Sequence, residues 1–347
     1  MTSPSASAEG TLAELGEFGL VSALKERFVQ GDHVILGPGD DAALVAVPDG
    51  RVLVSTDLLV DTRHFRRDWA TAVEIGHKAA AQNLSDINAM GGRATALTVG
   101  LAAPPDLAVA WALGLADGIA AEAGLVGACV VGGDVTRADE VMIAITVLGS
   151  SEADPVRRSG AQPGDVVAIC GRQGWAAAGL AVLTRGFRSP RVLVEAHRRP
   201  EPPYAGGAQA AALGATAMID VSDGLIADLG HLADDSAVLI DLESGCFEVA
   251  EPLRAVGAAL GADPMQFILT GGDDYALVAT FPEGTVLPEE WSRIGRVSER
   301  TGPDAEPDEH SGAAAGAAAS TGGAGAAAGV TVDGATYDGP PGHQHFR

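Results

Sequence analysis

Apolar side chains recur at helical spacing over residues 11–30, and this recurrence predicts an amphipathic helix near the start of the chain. Beyond it, short runs of branched apolar residues alternate with longer alanine-rich stretches. Thr71 and Glu74 have the spacing of a capping box, which predicts a second helix that ends before Gly91-Gly92. The alternation indicates an α/β (α+β) fold. The predicted strands cover residues 34–36, 42–47, 52–55, 95–101, 126–131, 141–148, 166–170, 217–221, 238–242, 276–281 and 291–297.

The turns between these runs make two local predictions. Pro48-Asp49-Gly50 separates 42–47 from 52–55 and predicts a hairpin between them, so that Asp57 follows the second strand. Gly132-Gly133-Asp134 predicts a turn at the end of another strand. Both predictions place a carboxylate just beyond a strand.

The length of 347 residues suits two domains better than one core. We predict an N-terminal α/β domain over 11–150 and a C-terminal α/β domain over 156–300. Residues 1–10 are polar, which predicts a disordered N-terminus. Residues 301–329 are rich in Gly, Ala, Ser, Thr and Pro and lack large apolar side chains, so they are predicted to be a low-complexity insert before a C-terminal tail, 330–347.

The formal net charge of −24 argues against nucleic acid as a partner, because a phosphate backbone needs a basic surface. A generally acidic surface explains much of this charge. Lysine occurs only at Lys25 and Lys78, and no Gly-x-x-x-x-Gly-Lys-Ser/Thr segment is present, which excludes a Walker P-loop. If the protein binds a polyphosphate, metal ions and arginines must neutralise it.

The same composition bears on location. No apolar run approaches the roughly 20 residues that span a bilayer, so no membrane association is expected. The first ten residues lack the basic start and apolar centre of a signal peptide. Cys129, Cys170 and Cys246 lie in apolar runs without metal-ligand spacing, which predicts reduced core thiols. These features predict a cytoplasmic protein.

Acidic residues cluster at predicted turns. Gly37-Pro38-Gly39-Asp40-Asp41 ends in two adjacent carboxylates, and Ser55-Thr56-Asp57 follows a predicted strand. Adjacent carboxylates repel each other, so unless they are simply solvated they need a cation. Further acids of this kind occur at Asp86, Asp134, Asp220, Asp223, Asp273 and Asp274.

This recurrence favours a magnesium and nucleotide site. Mg²⁺ binds a few carboxylates together with water and substrate phosphates, and phosphoryl transfer needs its reactants held in line with their charge offset. Residues 37–42 also fit a dinucleotide-binding pattern, but that turn requires a following helix, whereas a hairpin is predicted here. A single Asp-Gly turn is commonplace, and only the repetition argues for several Mg²⁺ ions.

Two other clusters have both an ordinary and a functional interpretation. The predicted helix after Thr71 has one polar face, which is either its solvated side or a functional surface. Its members are Lys78, Gln82, Ser85 and Asp86. His64 lies among arginines at 63, 66 and 67, so this segment is either a solvated basic loop or a site for an anionic substrate.

Eight segments, taken together, resemble the thiamine-monophosphate kinase family over about residues 11–300 and the last few residues. In order they are Gly-Glu-Phe-Gly-Leu at 16–20, Gly-Asp-Asp-Ala-Ala at 39–43, Ser-Thr-Asp at 55–57 with His64-Phe65, Asn-Leu-Ser-Asp at 83–86 with Ala-Met-Gly at 89–91, Gly-Gly-Asp-Val-Thr-Arg at 132–137, Arg-Ser-Gly-Ala-Gln-Pro-Gly-Asp at 158–165, Asp-Val-Ser-Asp-Gly-Leu at 220–225 and Gly-Gly-Asp-Asp-Tyr at 271–275.

The resemblance implies a two-domain PurM-like fold whose N-terminal sheet pairs across a homodimer. It implies phosphorylation of thiamine phosphate to thiamine diphosphate by ATP, with Mg²⁺ and direct in-line transfer. The catalytic positions it implies are Asp57, Asp134 and Asp220. The implied ATP contacts are Gly132, Gly133, Asp134, Arg158 and Ser222. The implied metal ligands are Asp40, Ser55, Thr56, Asp57, Asp86, Asp134, Asp220 and Asp223. The implied substrate contacts are His64, Asp273 and Tyr337.

The chain departs from the family pattern at two places. Many members have Gly-Gly-Glu-Asp-Tyr-Glu where this chain has 271–276 ending in Ala276, so the second glutamate is absent. Family tails carry an aromatic residue before a terminal His-Phe; here His345-Phe346 is present and Tyr337 is the candidate aromatic. Two other functions stay open: another ATP-dependent synthetase of the same superfamily, and a non-catalytic acidic protein that binds divalent cations.

Overall fold

A computed structural model describes residues 10–37, 43–47, 50–300 and 329–343, and the chain has the mixed α/β fold that the sequence predicts. The elements of the first half are α1 (Leu12–Lys25), β1 (Val34–Leu36), β2 (Leu44–Val45), β3 (Leu53–Val60), α2 (Ala72–Ala89), β4 (Arg93–Ala103), α3 (Val109–Leu125), β5 (Cys129–Arg137) and β6 (Met142–Ser150). Those of the second half are β7 (Val166–Cys170), α4 (Trp175–Thr184), α5 (Arg191–Arg198), α6 (Gly206–Ala212), β8 (Ala217–Asp220), α7 (Leu225–Asp235), β9 (Val238–Leu242), a 3₁₀ turn (Ser244–Cys246), α8 (Glu251–Leu260), α9 (Pro264–Thr270), β10 (Leu277–Phe281), β11 (Trp291–Glu299), β12 (Val330–Val332) and β13 (Ala335–Thr336).

The first half is built on a four-stranded sheet in the order β3-β6-β4-β5. β6 runs antiparallel to β3 and β4, and β5 runs parallel to β4. Because side chains alternate along a strand, Ile143, Ile145 and Val147 of β6 share one face, and they are fully buried in the core that includes α2 and α3. On the opposite face Val54 and Leu58 of β3 are 58% and 46% exposed.

The second half is built on a seven-stranded sheet in the order β13-β12-β9-β11-β7-β10-β8. Its paired strands are antiparallel except for β12 and β9. One core lies under α7 and a second surrounds Phe281 and Trp291, whose rings meet edge to face at 5.3 Å. Because β12 pairs with β9, the segment that follows the predicted insert joins this sheet. The predicted boundary at 150–156 falls between β6 and β7.

Helix α2 connects the two halves. The capping box predicted at its start is present, with Thr71 accepting from the backbone of Glu74 and Glu74 accepting in return. Near its end, Asn88 donates to the carbonyl of Pro203 at 3.0 Å and accepts from the amide of Gly207 at 3.0 Å. A Cβ atom at Gly207 would lie 1.8 Å from the Asn88 carbonyl oxygen, so only glycine permits this approach. The C-terminal end of α2 therefore packs against the second half of the chain, while apolar side chains along the helix pack in the first half.

The predicted hairpin between 42–47 and 52–55 is wrong. β2 pairs with β1, while β3 pairs along its whole length with β6. Strand β3 also continues to Val60, so Asp57 lies inside a strand and not after one. β5 likewise runs through residues 132–134, where a turn was predicted. Local turn signals could not show these longer strands, because the partner strands that extend them lie far away in the sequence.

Several smaller differences concern helices and cysteines. α1 ends at Lys25 and contains a non-helical residue, Gly16. Helices α5 and α9 were not predicted. Cys129 and Cys170 are buried as expected, but Cys246 is exposed, so the core-thiol prediction is wrong for that residue.

Within the described part of the chain, no helix is both long and apolar enough to span a membrane. Predictions on 1–9, 38–42, 48–49, 301–328 and 344–347, Asp40 and His345-Phe346 among them, lie outside the described residues.

Candidate active site

A cavity of about 830 Å³ opens where α2 meets the second half of the chain. Ligand pockets commonly have volumes of about 300–1,000 Å³, so a small-molecule site fits here. The lining comes from β3, α2, the loop 61–69, α4 and the turns after β8 and α9. Two walls differ in chemistry. The acidic wall is formed by Asp57, Asp86 and Asp220, and the aromatic wall by Trp69, Leu180 and His197.

The acidic wall begins where β3 packs on α2. Ser55 and Asp57 alternate along β3 and therefore face the same side, toward the helix. The Ser55 hydroxyl donates to the carboxylate of Asp86 at 2.5 Å, and the Asn83 side chain accepts from the Asp57 amide at 3.2 Å. The polar face of α2 is thus turned inward, which excludes its interpretation as the solvated side of the helix.

Asp220, the last residue of β8, completes this wall from the second half. Its carboxylate accepts from the Ser85 hydroxyl at 2.7 Å. Burial, followed by the charges of Asp220 and Asp57, raises the pKa of Asp86 to about 7. Burial also raises the pKa of Asp220, against the opposing effects of Ser85 and Arg158. The wall therefore concentrates carboxylates that resist ionising together, and a bound cation would offset that repulsion.

Within the described residues, no group of three or more His, Cys, Asp or Glu is arranged to hold a metal ion by itself. The donor set nevertheless fits Mg²⁺, because hard carboxylate and hydroxyl oxygens converge and the carboxylates repel one another. Mg²⁺ typically keeps waters and substrate phosphates among its ligands. An incomplete protein shell is therefore what a phosphate-bridging ion requires.

The turn after β8 is shaped by a buried carboxylate. One oxygen of Asp228 accepts from the amides of Ser222, Asp223 and Gly224 at 3.0, 3.1 and 3.1 Å. Burial raises the pKa of Asp228 to about 7, although the amides of Gly224 and Asp223 oppose the rise. Gly224 has a φ of 144°, and a Cβ there would lie 2.7 Å from the carbonyl oxygen of Thr270. The turn thus holds Ser222 and Asp223 at the cavity.

An ion pair between a buried lysine and a partly exposed carboxylate faces the same cavity. Lys78 of α2 is only 3% exposed, and its ammonium group donates to Asp273 at 2.8 Å. Burial alone would raise the pKa of Asp273, but the charge of Lys78 and the hydrogen bonds to Asp273 outweigh burial and lower it. The Tyr275 hydroxyl donates to Gln82 at 3.2 Å. Asp273 and Tyr275 have φ values of 65° and 54°, so this turn adopts a left-handed conformation uncommon for such residues.

The aromatic wall carries no anion. Trp69 and His197 meet edge to face with ring centroids 6.4 Å apart. Burial, and next the charge of Lys78, lowers the pKa of His197 to about 3, so this ring is neutral at physiological pH. Leu180 of α4 also lines the cavity, with Ala176 and Ala177 beside it.

Most of the residues predicted from the sequence and the resemblance line this cavity. They are Ser55, Asp57, His64, Asp86, Arg158, Asp220, Ser222, Asp223 and Asp273. They come from separate segments, and the fold brings them to one space.

Other predicted residues do not line it. The Thr56 hydroxyl lies on the opposite face of β3, where it donates to the Ile145 carbonyl at 3.0 Å. Gly132, Gly133 and Asp134 are on β5, at the far edge of the sheet from β3. Three strand spacings separate Gly133 from Asp57 in register, a distance of about 14 Å. Tyr337 packs against the core of the second half.

Sequence reasoning gave no specific role to Lys78 and did not single out Trp69, His197, Asp228 or Tyr275 for the site. A signal existed for Lys78, because a chain with two lysines places one of them on the inward face of a predicted helix. Trp69 and His197 lie 128 positions apart in the numbering, and no pattern along the chain links them.

Comparison with known proteins relates the chain to a family. Residues 39–151 match the family described as AIR synthase related protein, N-terminal domain. The thiamine-monophosphate kinase of Mycobacterium tuberculosis is 49% identical over 289 residues, which cover 83% of this chain and 86% of that protein. The thiamine-monophosphate kinase of Corynebacterium glutamicum is 39% identical over 280 residues, which cover 78% and 83%.

The similarity extends to three-dimensional structure. A solved structure described as "AaThiL complexed with AMPPCP and TMP" has a TM-score of 0.74 and 30% identity to this chain. The alignment covers 96% of this chain and 98% of that one. The fold described above is thus shared across both halves.

Proposed function

The chain belongs to the thiamine-monophosphate kinase family, and from this premise we propose that it transfers the γ-phosphoryl group of ATP to thiamine phosphate, yielding thiamine diphosphate and ADP. The convergence of Asp57, Asp86 and Asp220 with Arg158 on one cavity carries the proposal. A relative's structure with AMPPCP, an analogue of ATP, and TMP supports the same pair of reactants.

The acceptor chemistry assigns roles to the acids. A phosphate monoester has its second pKa near 6, so the acceptor oxygen of thiamine phosphate is already ionised at pH 7. It attacks the γ-phosphorus while the bond to the bridging oxygen of ADP breaks, and no general base is needed. Asp57, Asp86, Asp220 and Asp223, with the Ser55 hydroxyl, would hold Mg²⁺ ions. When bound, Mg²⁺ neutralises charge on the phosphate oxygens.

The protein's own cations complete the charge balance. Arg158 lines the cavity and opposes the rise in the pKa of both Asp86 and Asp220. Lys78 donates to Asp273, and an incoming phosphate would compete with that carboxylate for the ammonium group. We assign Lys78 to the stabilisation of the transferring phosphoryl group. In P-loop proteins the P-loop lysine has this role, and this chain has no P-loop.

Some assignments that the resemblance implies remain predictions. Asp40 lies outside the described residues, and Asp134 with Gly132 and Gly133 is exposed or half-exposed on β5. Their roles toward metal and ATP require that a nucleotide extend across the sheet. Because the Thr56 hydroxyl faces the other side of β3, Thr56 would have to bind the metal through its main-chain carbonyl oxygen. Tyr337 would have to move to reach a substrate.

We also propose a homodimer through the open face of the four-stranded sheet. This face exposes Val54 and Leu58, and nearby Ile35, Leu44 and Val52 are 67%, 53% and 46% exposed. Apolar patches of this kind commonly mark interfaces. Leu58→Glu should reduce the dimer fraction in light scattering, whereas Val286→Glu, at a site 85% exposed in the second half, should not. A wild-type monomer at micromolar concentration would contradict the proposal.

The three cysteines are unpaired, which supports action in the reducing cytoplasm.

The deciding experiment measures ADP and thiamine diphosphate formation from ATP, Mg²⁺ and thiamine phosphate, with aminoimidazole precursors and other phosphorylated acceptors in parallel. We expect equal amounts of ADP and thiamine diphosphate, and no product without Mg²⁺. Turnover only with another acceptor would favour a different ATP-dependent synthetase of the superfamily. Calorimetric binding of Mg²⁺ without any binding of ATP would favour a non-catalytic cation-binding protein.

A further inference from the structure

One face of the Trp69 ring is covered by a side chain of its own loop. The Arg66 guanidinium lies 4.5 Å from the centre of the Trp69 ring. Asp68 accepts from two nitrogens of Arg66, each at 2.9 Å, and so holds the guanidinium in place. Both Arg66 and Trp69 line the cavity. The ring therefore already binds a flat cation, and both partners of this contact belong to the cavity lining.

The ring is fixed from behind, and the cover is not. Trp69 packs against the apolar cluster of α4, α5, α8 and α9, and its edge meets the neutral ring of His197. The side chains of Arg66 and Asp68 are 47% and 59% exposed. Exposed ion pairs are weak, because water competes for both partners. Arg66 can therefore leave the ring without disturbing the packing that positions Trp69.

His197 contacts both the aromatic ring of Trp69 and the ammonium group of Lys78. The His197 carbonyl oxygen lies 3.4 Å from the Lys78 ammonium, while its ring contacts Trp69. One residue thus spans the space between the cation assigned to the phosphoryl group and the aromatic face. In thiamine phosphate an ethyl group joins the phosphate oxygen to a thiazolium ring, which is flat and permanently positive.

We propose that the face of Trp69 is the binding site for the thiazolium ring of the acceptor and that Arg66 is a displaceable cover which the substrate replaces. The proposal rests on the proposed function for the identity of the acceptor. The aromatic face attracts any flat cation through its electron-rich surface. Exchange of the guanidinium for the thiazolium keeps that attraction, and Arg66 keeps Asp68 as its partner.

The chain offers a matched control. Trp175 also carries an arginine, Arg172, 5.1 Å from its ring centre, but Trp175 does not line the cavity. Trp69→Ala should raise the KM for thiamine phosphate about tenfold and leave the KM for ATP within about twofold. Trp69→Phe should recover most of the loss, and Trp175→Phe should change neither KM. Arg66→Ala should leave the KM for thiamine phosphate unchanged or lower it.

Binding without turnover separates this proposal from the function. An N-alkylthiazolium salt should quench tryptophan fluorescence in the wild type and in Trp175→Phe, but not in Trp69→Phe. An uncharged thiazole should not quench the fluorescence of any of these three proteins. A wild type that is inactive with thiamine phosphate but shows this pattern would overturn only the proposed function. Active wild type with equal quenching in Trp69→Phe would overturn the Trp69 site. A KM raised by Arg66→Ala as much as by Trp69→Ala would overturn the role of Arg66 as a cover.

Discussion

The two walls of the cavity differ in charge, because one gathers carboxylates and the other is built from neutral side chains. The acidic wall gathers Asp57, Asp86 and Asp220, and burial with mutual repulsion raises the pKa of Asp86 to about 7. The aromatic wall buries His197 and lowers its pKa to about 3, so that Trp69 packs against a neutral ring. One wall holds carboxylates whose mutual repulsion a bound cation would offset, and the other excludes charge to make a packed surface.

This difference shows which substitutions should separate activity from stability. Acids that repel each other destabilise the metal-free protein, so their removal should cost activity without costing stability. Packed neutral groups stabilise the fold whether or not a ligand is bound.

The largest expected effect comes from Asp57→Asn on the acidic wall. We expect turnover to fall about 10³-fold, because a charge that holds the phosphate-neutralising cations is lost while the side chain keeps its shape. The melting temperature should stay near that of the wild type. Asp154→Asn, at a carboxylate 94% exposed and paired with Arg51, is the control. Near-normal ADP formation by Asp57→Asn would remove this carboxylate from the mechanism.

Lys78→Met tests the cation that lies between the two walls. We expect turnover to fall about 10²-fold, because one charge-assisted contact to the transferring phosphoryl group is lost. Lys78→Arg should retain part of the activity. Lys25→Met changes the other lysine of the chain, which is exposed at the end of α1, and should have no effect. Steady-state kinetics decide the matter, and equal activity of Lys78→Met and Lys25→Met would refute the role.

Asp86→Asn should stabilise the protein when metal is absent. The pKa of Asp86 is raised, so the folded state binds its proton more tightly than the unfolded chain, and stability is lost as the pH rises from about 4 to about 7. At pH 8 without Mg²⁺, removal of the charge should raise the free energy of unfolding by on the order of 2 kcal/mol.

The measurement is urea unfolding at pH 8 in chelator and again in Mg²⁺. The wild type should gain more stability from Mg²⁺ than Asp86→Asn does. Asp117→Asn, at a half-exposed carboxylate paired with Arg27, should respond to Mg²⁺ like the wild type. A destabilised metal-free Asp86→Asn protein would show that the acidic wall is not under electrostatic strain.

The smallest expected effect is a pH dependence from the aromatic wall. The pKa of His197 is lowered from 6.5 to about 3, so between these values the unfolded chain binds a proton that the native state does not. The contribution of His197 to stability is therefore lost as the pH falls below 6.5. At pH 5.5 this loss should be about 1 kcal/mol relative to pH 8.

His197→Gln should lack that loss, while His231→Gln, at an exposed histidine of α7, should keep it. Urea unfolding in chelator at both pH values gives the comparison, and the opposing titration of the buried acids cancels between variants. Equal acid sensitivity in His197→Gln and the wild type would show that burial does not hold this ring neutral.

The sequence predicted more of the acidic wall than of the aromatic wall. Asp57, Asp86 and Asp220 stand in short segments whose order along the chain is specific, and the capping box located the helix that carries Asp86. Trp69 and His197 resemble any half-buried aromatic residue and any histidine on a short helix. Their contact exists because α5 packs beside the loop after β3, and no local pattern encodes that.

The sequence alone determined the fold class and the position of α2, and it singled out Asp57, Asp86 and Asp220 as candidate metal ligands, because helical periodicity, capping and clustered charge act over a few residues. Only the tertiary structure decided that β3 runs through Asp57, that Ser55 and Thr56 face opposite sides, and that Lys78 meets Asp273. Strand pairing and the packing of distant elements made those choices, since the partners lie up to 195 positions apart.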